Sequence, residues 1–319
     1  MSAAAIISSL ASLAVSIGIS YAAGYPGVGA QLAGRADVGP VITYAAGVAI
    51  VLQWIVFVPA FIFQTEKYYD LTGSITYISV TLGTLAYRLG YSHVQSNSIY
   101  NVRAIVSSVL VVAWALRLGS FLVRRIHRAG KDGRFDEIKP SFAKFLAAWT
   151  IQGLWVFLTL LAVLVVNTTS LDAAPSAVDY VGWAVWVLGF GMEVVADSQK
   201  SAFNALKTGK WVEVGLWKYS RHPNYFGEIT LWTGQCIVGG SVYRGGQWVA
   251  LLSPLFVMLL LTKITGIPML EARADEKWGG DPEYEAYKRT VSVLVPLPRR
   301  SPPAGQHDSL DDGRHALNT

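Results

Sequence analysis

Residues 216–228 read Leu-Trp-Lys-Tyr-Ser-Arg-His-Pro-Asn-Tyr-Phe-Gly-Glu, and no other stretch of the chain gathers as much polar chemistry. Lys218 and Arg221 are cations, His222 is an imidazole, Asn224 a carboxamide, Tyr219 and Tyr225 phenols and Glu228 a carboxylate. Apolar runs flank them on both sides. A buried polar group without a partner costs about 1–3 kcal/mol, and more in hydrocarbon, so such a cluster at a membrane boundary calls for a ligand. An anion suits it: Arg, Lys and His recognise phosphate and carboxylate, Arg through a bidentate fork. His222 alone reads as a structural residue. Pro223 changes that weighting, because proline favours helix starts and a first helical turn offers free N–H groups to an anion.

Further groups stand at the ends of other apolar runs. Glu66 and Asp70 follow the run 41–63 and would share a face if the helix continued through them. Glu193 and Asp197 repeat that spacing after another run. Arg117 lies inside an apolar segment, which marks it either as a functional arginine or as one that snorkels to the interface. Basic loops 124–135 and 197–222 add Arg128, Arg134, Lys200 and others. All of these would ring one cytoplasmic bundle mouth, a default ligand site with Glu66 and Asp70 available as acid or base. The competing reading is a set of interfacial caps and anchors that never meet.

The elements that must position these groups are helices in lipid. The chain of 319 residues is 52% hydrophobic, with a mean hydropathy of +0.39, and only 15% charged, against about 25% charged in a soluble domain. Eleven Trp and fifteen Tyr suit membrane interfaces. The expected class is an all-α polytopic bundle of seven to eight transmembrane helices, with spans over 2–23, 41–63, 74–90, 102–123, 142–166, 177–195, 225–240 and 247–264. Residues 24–39 and 91–102 read as loops, 241–246 as a tight hairpin, and the chain past Gly266 as amphipathic. Eight spans with cytoplasmic termini put all three basic segments on one side, in the manner of the positive-inside rule. We expect one domain over 1–299 with a disordered tail over 300–319. The net charge of +5 lies in loops between apolar runs, which suits membrane orientation better than nucleic acid. One cysteine, Cys236, excludes a disulfide framework, no His/Asp/Glu spacing makes a metal site, and no glycine-rich phosphate fingerprint is present.

The run Arg221-His222-Pro223-Asn224-Tyr225-Phe226-Gly227-Glu228, after Gly215-Leu216-Trp217, resembles the carboxy-terminal signature of the membrane steroid 5α-reductase family. The whole chain resembles its bacterial branch, DUF1295, through Thr65 to Gly73, Trp114 to Gly119, Gly130 to Phe135 and Trp278 to Pro296. That resemblance implies an enzyme in the bacterial inner membrane, with a cofactor site facing the cytoplasm, which binds NADPH and reduces a double bond conjugated to a ketone. By motif position Asn224 and Glu228 match the family's cofactor-binding Asn and Glu, Asp197 an acidic cofactor contact and Arg117 a cofactor-facing arginine. Arg134, Lys200, Arg221, His222 and Tyr225 join them as cofactor-binding candidates. Glu66 matches the carboxylate near the substrate carbonyl, with Tyr68, Tyr69 or Tyr87 as the hydroxyl there. Two departures stand out: the Gln-Glu pair of the steroid enzymes is here Gln64-Thr65-Glu66, and Trp114 occupies the place of a tyrosine.

The implied chemistry is hydride delivery to the β-carbon of an enone, with a donor stabilising the developing enolate oxygen. The substrate class is lipophilic, whether steroid, other polycyclic enone, enoyl chain or isoprenoid. The alternative is an S-adenosylmethionine-dependent membrane methyltransferase of the isoprenylcysteine or phospholipid type. Those proteins carry a similar Arg-His-Pro segment, and Glu271, Trp278, Gly280, Tyr284 and Tyr287 resemble their tail. Oligomeric state is not legible.

Overall fold

The protein is represented by a computed structural model that describes residues 3–24, 39–95, 101–169 and 173–300. The expected loop at 25–38, the tail beyond 300 and part of the 91–102 connection lie outside the described residues. Among the described residues the architecture is helical: α1 Ala3–Gly24, α2 Gly39–Ile62, α3 Tyr69–Gln95, α4 Val102–Ala129, α5 Phe142–Thr168, α6 Ala177–Ala205, α7 Pro223–Gly239, α8 Leu252–Leu259, α9 Ile267–Trp278 and α10 Pro282–Thr290. The chain divides into two compact units. The first is Met1–Trp186 with Trp232–Val257, the second Val187–Leu231 with Met258–Thr319.

In the first unit α5 is the hub. It is apolar on every side, with Val156 to Thr168 continuously buried, which is the pattern of a helix enclosed by others. Ser141 caps its start by accepting the Lys144 N–H. Helices α1, α2, α3 and α4 pack on it, as does the short 3-10 helix Gly245–Leu251. The outer face of α2 exposes Tyr44, Val48, Val51, Ile55, Val58 and Ile62. An apolar face of that length in water would be an aggregation surface; lipid is its natural solvent.

Among the described residues five segments are long and apolar enough to cross a membrane: Pro40–Ile62, Val102–Ala129, Phe142–Thr168, Ala177–Ala205 and Gly245–Trp278. The pattern is that of a multi-pass membrane protein. The expected count of seven to eight is not reached by length and composition. The expected spans over 2–23 and 74–90 are helical without being among the five, and α7, at 17 residues, falls short of the roughly 20 that a crossing takes. Boundaries also differ from expectation, among them that of α3, which starts at Tyr69 and stays helical through Gln95, into the expected connection 91–102. The helix over Val102–Ala129 runs past Val123, and the segment from Asp197 is helical to Ala205 rather than loop.

Glycines bring α6 and α7 into backbone contact. In the first unit a Cβ at Gly234 would lie 2.6 Å from Trp186 N and 2.7 Å from Gly182 O. In the second, a Cβ at Gly189 would lie 2.5 Å from Leu231 N and 2.7 Å from Gly227 O. Small residues permit such approach in membranes, where dispersion and not water release holds helices together.

Candidate functional site

The turn between α2 and α3 is not the helical continuation the spacing suggested. Helix α2 ends at Ile62, Gln64 takes a left-handed φ of 49°, and α3 begins at Tyr69. Glu66 and Asp70 therefore do not form an i, i+4 pair on one helix. Glu66 is buried, and its carboxylate accepts the Asp132 N–H at 2.9 Å and the Lys139 ammonium at 2.5 Å. Burial alone would raise the Glu66 pKa; the Lys139 hydrogen bond and the Asp132 N–H outweigh it and hold the carboxyl below its ordinary range.

Asp132 and Asp70 extend this network. The Arg125 guanidinium donates to Asp70 at 3.1 Å and stands 4.0 Å from Asp132. Arg134 is exposed and turned onto the Asp132 carboxylate, with contacts of 2.6 to 3.0 Å. Phe135 anchors the loop in a core of Phe57, Phe145 and Trp149, where Tyr69 packs and donates its hydroxyl to Ala148 O. The loop 130–139 is thus pinned at Glu66 and at Phe135. Truncating Glu66→Ala leaves the Asp132 amide unpaired and Lys139 with only Asp136, at 3.6 Å, so we expect a loss of about 1–3 kcal/mol in chemical denaturation. A folded-state pKa below the ordinary 4.5 means that the contribution is full above about pH 4.5 and fades as pH falls through the lowered value.

Of the other candidates in this unit, Tyr68 is exposed near Glu66. Tyr87, also exposed, lies on α3 about 27 Å beyond Tyr69 at roughly 1.5 Å per residue, too far to meet the same small ligand. Arg117 is half-buried with its guanidinium 5.7 Å from the Phe121 ring centre, one turn on.

The second unit builds its site around the start of α7. Gly215, at φ 57°, lets the Leu216 N–H reach Gln199 Oε1 at 2.9 Å, and the Trp217 indole donates to Ala196 O. These bonds fix the 216–222 stretch to the end of α6. The chain then returns: Arg221 N–H donates to Ser292 O, Ser220 Oγ to Leu294 O and Leu297 N–H to Tyr219 O. Tyr287 donates to Trp217 O, and with Trp211, Tyr284 and Val291 forms a small core. The segment past Gly266, which on sequence could be a solvated face, is therefore a brace for the polar stretch.

Within that frame Asn224 Nδ2 donates to Asp197 Oδ1 at 3.1 Å, and both Asp197 and Glu193 are buried. Glu228 lies one turn beyond Asn224, and the Lys200 ammonium sits 5.0 Å from the Trp217 ring centre. His222 is buried, bonds Glu271 at 2.8 Å and stacks with Tyr225 at 5.7 Å. Arg221 meets the other Glu271 oxygen at 3.2 Å. Burial lowers the His222 pKa despite the Glu271 carboxylate, leaving a neutral imidazole at pH 7. The sequence offered Glu271 only through the methyltransferase-like tail and not as a partner of this stretch; it is 49 positions from His222, beyond the reach of any periodicity. Among the described residues no three His, Cys, Asp or Glu gather as metal ligands.

A family model described as "Protein of unknown function (DUF1295)" matches residues 56–291, which takes in both clusters. The chain belongs to the DUF1295 family. No curated protein and no solved structure matches it. In this DUF1295 protein the described core residues missed by motif reading include a buried ion pair in the first unit, Arg103 with Asp179, and Arg88 bonded to Asn101 and to Thr169 O.

Proposed function

We propose that this chain is a membrane-embedded, NADPH-dependent reductase of a lipophilic enone, with the cofactor held by the second unit. The observation that carries the reading is the joining of Asn224 to Asp197 at the start of α7, beside Lys200, Arg221 and His222. The donor set fits an anionic dinucleotide. Arg221 Nε is buried with no partner among the described residues, so an anion would supply what the fold leaves out. Arg221 and Lys200 carry the positive charge that a diphosphate and 2′-phosphate need. Asn224 and Asp197, fixed to each other, offer a rigid pair of polar groups for a ribose or carboxamide, with Glu228 one turn further.

When bound, NADPH supplies the hydride for the β-carbon of the enone. The protein's part is to bind, orient and exclude water. Neutral His222 donates its Nε2–H to Glu271, which leaves the positive charge of this cluster on Arg221. In the first unit Glu66 is ionised and holds no proton to give, so it enters this reading as the residue that positions the 130–139 loop.

Asn224→Ala is expected to weaken NADPH binding about tenfold or more, measured by calorimetry on detergent-purified protein, with the melting temperature almost unchanged. Unchanged affinity would overturn the assignment of this stretch. A second reading, transfer of a methyl group from S-adenosylmethionine, is favoured by one feature: Glu271 joins Arg221 and His222, and the Tyr284 and Tyr287 segment braces them.

A further inference from the structure

We propose that the strap 292–297 of the second unit, with Tyr219, Lys218 and Arg300, is a docking surface for the anionic phospholipid headgroups of the membrane. The strap is held along the 219–221 stretch at three points: Arg221 N–H donates to Ser292 O at 2.8 Å, Ser220 Oγ to Leu294 O at 2.7 Å and Leu297 N–H to Tyr219 O at 3.1 Å. Exposure alternates along it. Ser292, Leu294 and Pro296 are half-buried, while Val293, Val295 and Leu297, with Tyr219 beside them, are each 40–48% exposed. The cations next to this apolar surface are Lys218, Arg299 and Arg300, all exposed. Arg299 Nε donates to Lys218 O at 3.4 Å, which brings the two ends of the surface together, and its Nη2 meets Glu213 at 3.2 Å.

What selects lipid over a water-borne partner is depth. Helix α6 is one of the segments long enough to cross a membrane, and its 29 residues outrun the roughly 20 that a crossing takes. Counted from Ala177, those roughly 20 residues end at Ala196. At that point the Trp217 indole donates to Ala196 O at 3.0 Å, and one turn on the Leu216 N–H reaches Gln199 at 2.9 Å. The stretch that carries Tyr219 is therefore tied to α6 where hydrocarbon gives way to headgroups. A surface at that level meets two layers and matches both. Valine, leucine and tyrosine side chains suit the boundary of the acyl chains, and lysine and arginine suit phosphates. Zwitterionic headgroups carry no net charge, so the cations select anionic ones; each Lys or Arg near an anionic surface shifts such an equilibrium about fivefold. The inference does not rest on the cofactor reading.

The test uses the full chain in lipid nanodiscs, with Val295→Cys carrying a bimane fluorophore and Leu297→Cys as a second, separate position. Cys236 is buried, so the new cysteine takes the label. Nanodiscs of phosphatidylglycerol and of phosphatidylcholine each contain a lipid with a nitroxide near its headgroup as one quencher, and acrylamide in the water is the other. In phosphatidylglycerol both positions should be quenched by the lipid nitroxide and protected from acrylamide. In phosphatidylcholine the lipid quenching should fall about twofold or more, and Lys218→Gln with Arg300→Gln should lower the phosphatidylglycerol value to the same level. Those two side chains are exposed, so the melting temperature of the double variant in detergent should equal that of the parent. Quenching by acrylamide without quenching by lipid would mean that the strap faces water. Protection from both quenchers would mean that a second copy or another part of the chain covers it, and equal lipid quenching in the two lipids would mean that charge plays no part. Any of these three results overturns the proposal.

Discussion

Gly234→Leu is expected to yield no folded protein after detergent extraction, whereas Gly191→Leu on α6 should elute and melt like the parent. At Gly234 even the first added carbon lies 2.6 Å from Trp186 N, 2.7 Å from Gly182 O and 2.9 Å from Trp186 Cα. These are backbone atoms, so relief needs the helices to part. Overpacking an ordinary core costs about 1–3 kcal/mol; a forced separation at an interface held by close backbone approach exceeds that. Gly191 is exposed and has no atom within 4 Å of its added carbon. Size-exclusion profile and melting temperature read both outcomes, and a normal Gly234→Leu protein would contradict the close packing described.

The second large effect is at Asp179. Its carboxylate takes the Arg103 Nε at 2.5 Å and Nη2 at 2.9 Å, and also accepts the Ser176 N–H and hydroxyl at 2.6 and 3.0 Å. Arg103 and Asp179 side chains are 3% and 0% exposed. Arg103 further donates to the carbonyls of Ala173 and Ala174, at 3.2 Å each. Asp179→Ala leaves a guanidinium buried without its counter-charge, which costs about 3–5 kcal/mol. Replacing both partners by apolar residues, Arg103→Met with Asp179→Leu, should recover much of that loss, because the desolvation penalty goes with the pair. Chemical denaturation of the single and double variants measures the difference. A single variant as stable as the parent would mean that the pair carries no such energy.

Continuous apolar runs placed 41–63 and 142–166 within three residues of the helices Gly39–Ile62 and Phe142–Thr168, since in lipid every backbone group must be satisfied within a helix. The same rule gives no information once a helix leaves the apolar layer, which is why hydropathy shows α4 past Val123 and α6 past Asp197 as loops although both are helical. The i, i+4 spacing held for Glu193 and Asp197, on a helix that continues to Ala205. It failed for Glu66 and Asp70, because the left-handed Gln64 turns the chain between them. Partners distant in sequence were the illegible part: Lys139 for Glu66, Glu271 for His222 and Asp179 for Arg103 are tertiary contacts with no local signature.

The measurement closest to the central claim is the thermal stability of detergent-purified protein with NADPH, NADH and S-adenosylmethionine added separately. A ligand that binds only the folded state stabilises it by roughly 2.7 kcal/mol at a hundredfold excess over its dissociation constant, a readable shift. The account predicts stabilisation by NADPH that falls by about half or more in Asn224→Ala, as a tenfold loss of affinity at that excess requires. Stabilisation by S-adenosylmethionine alone would contradict it and turn the same cluster into a methyl-transfer site.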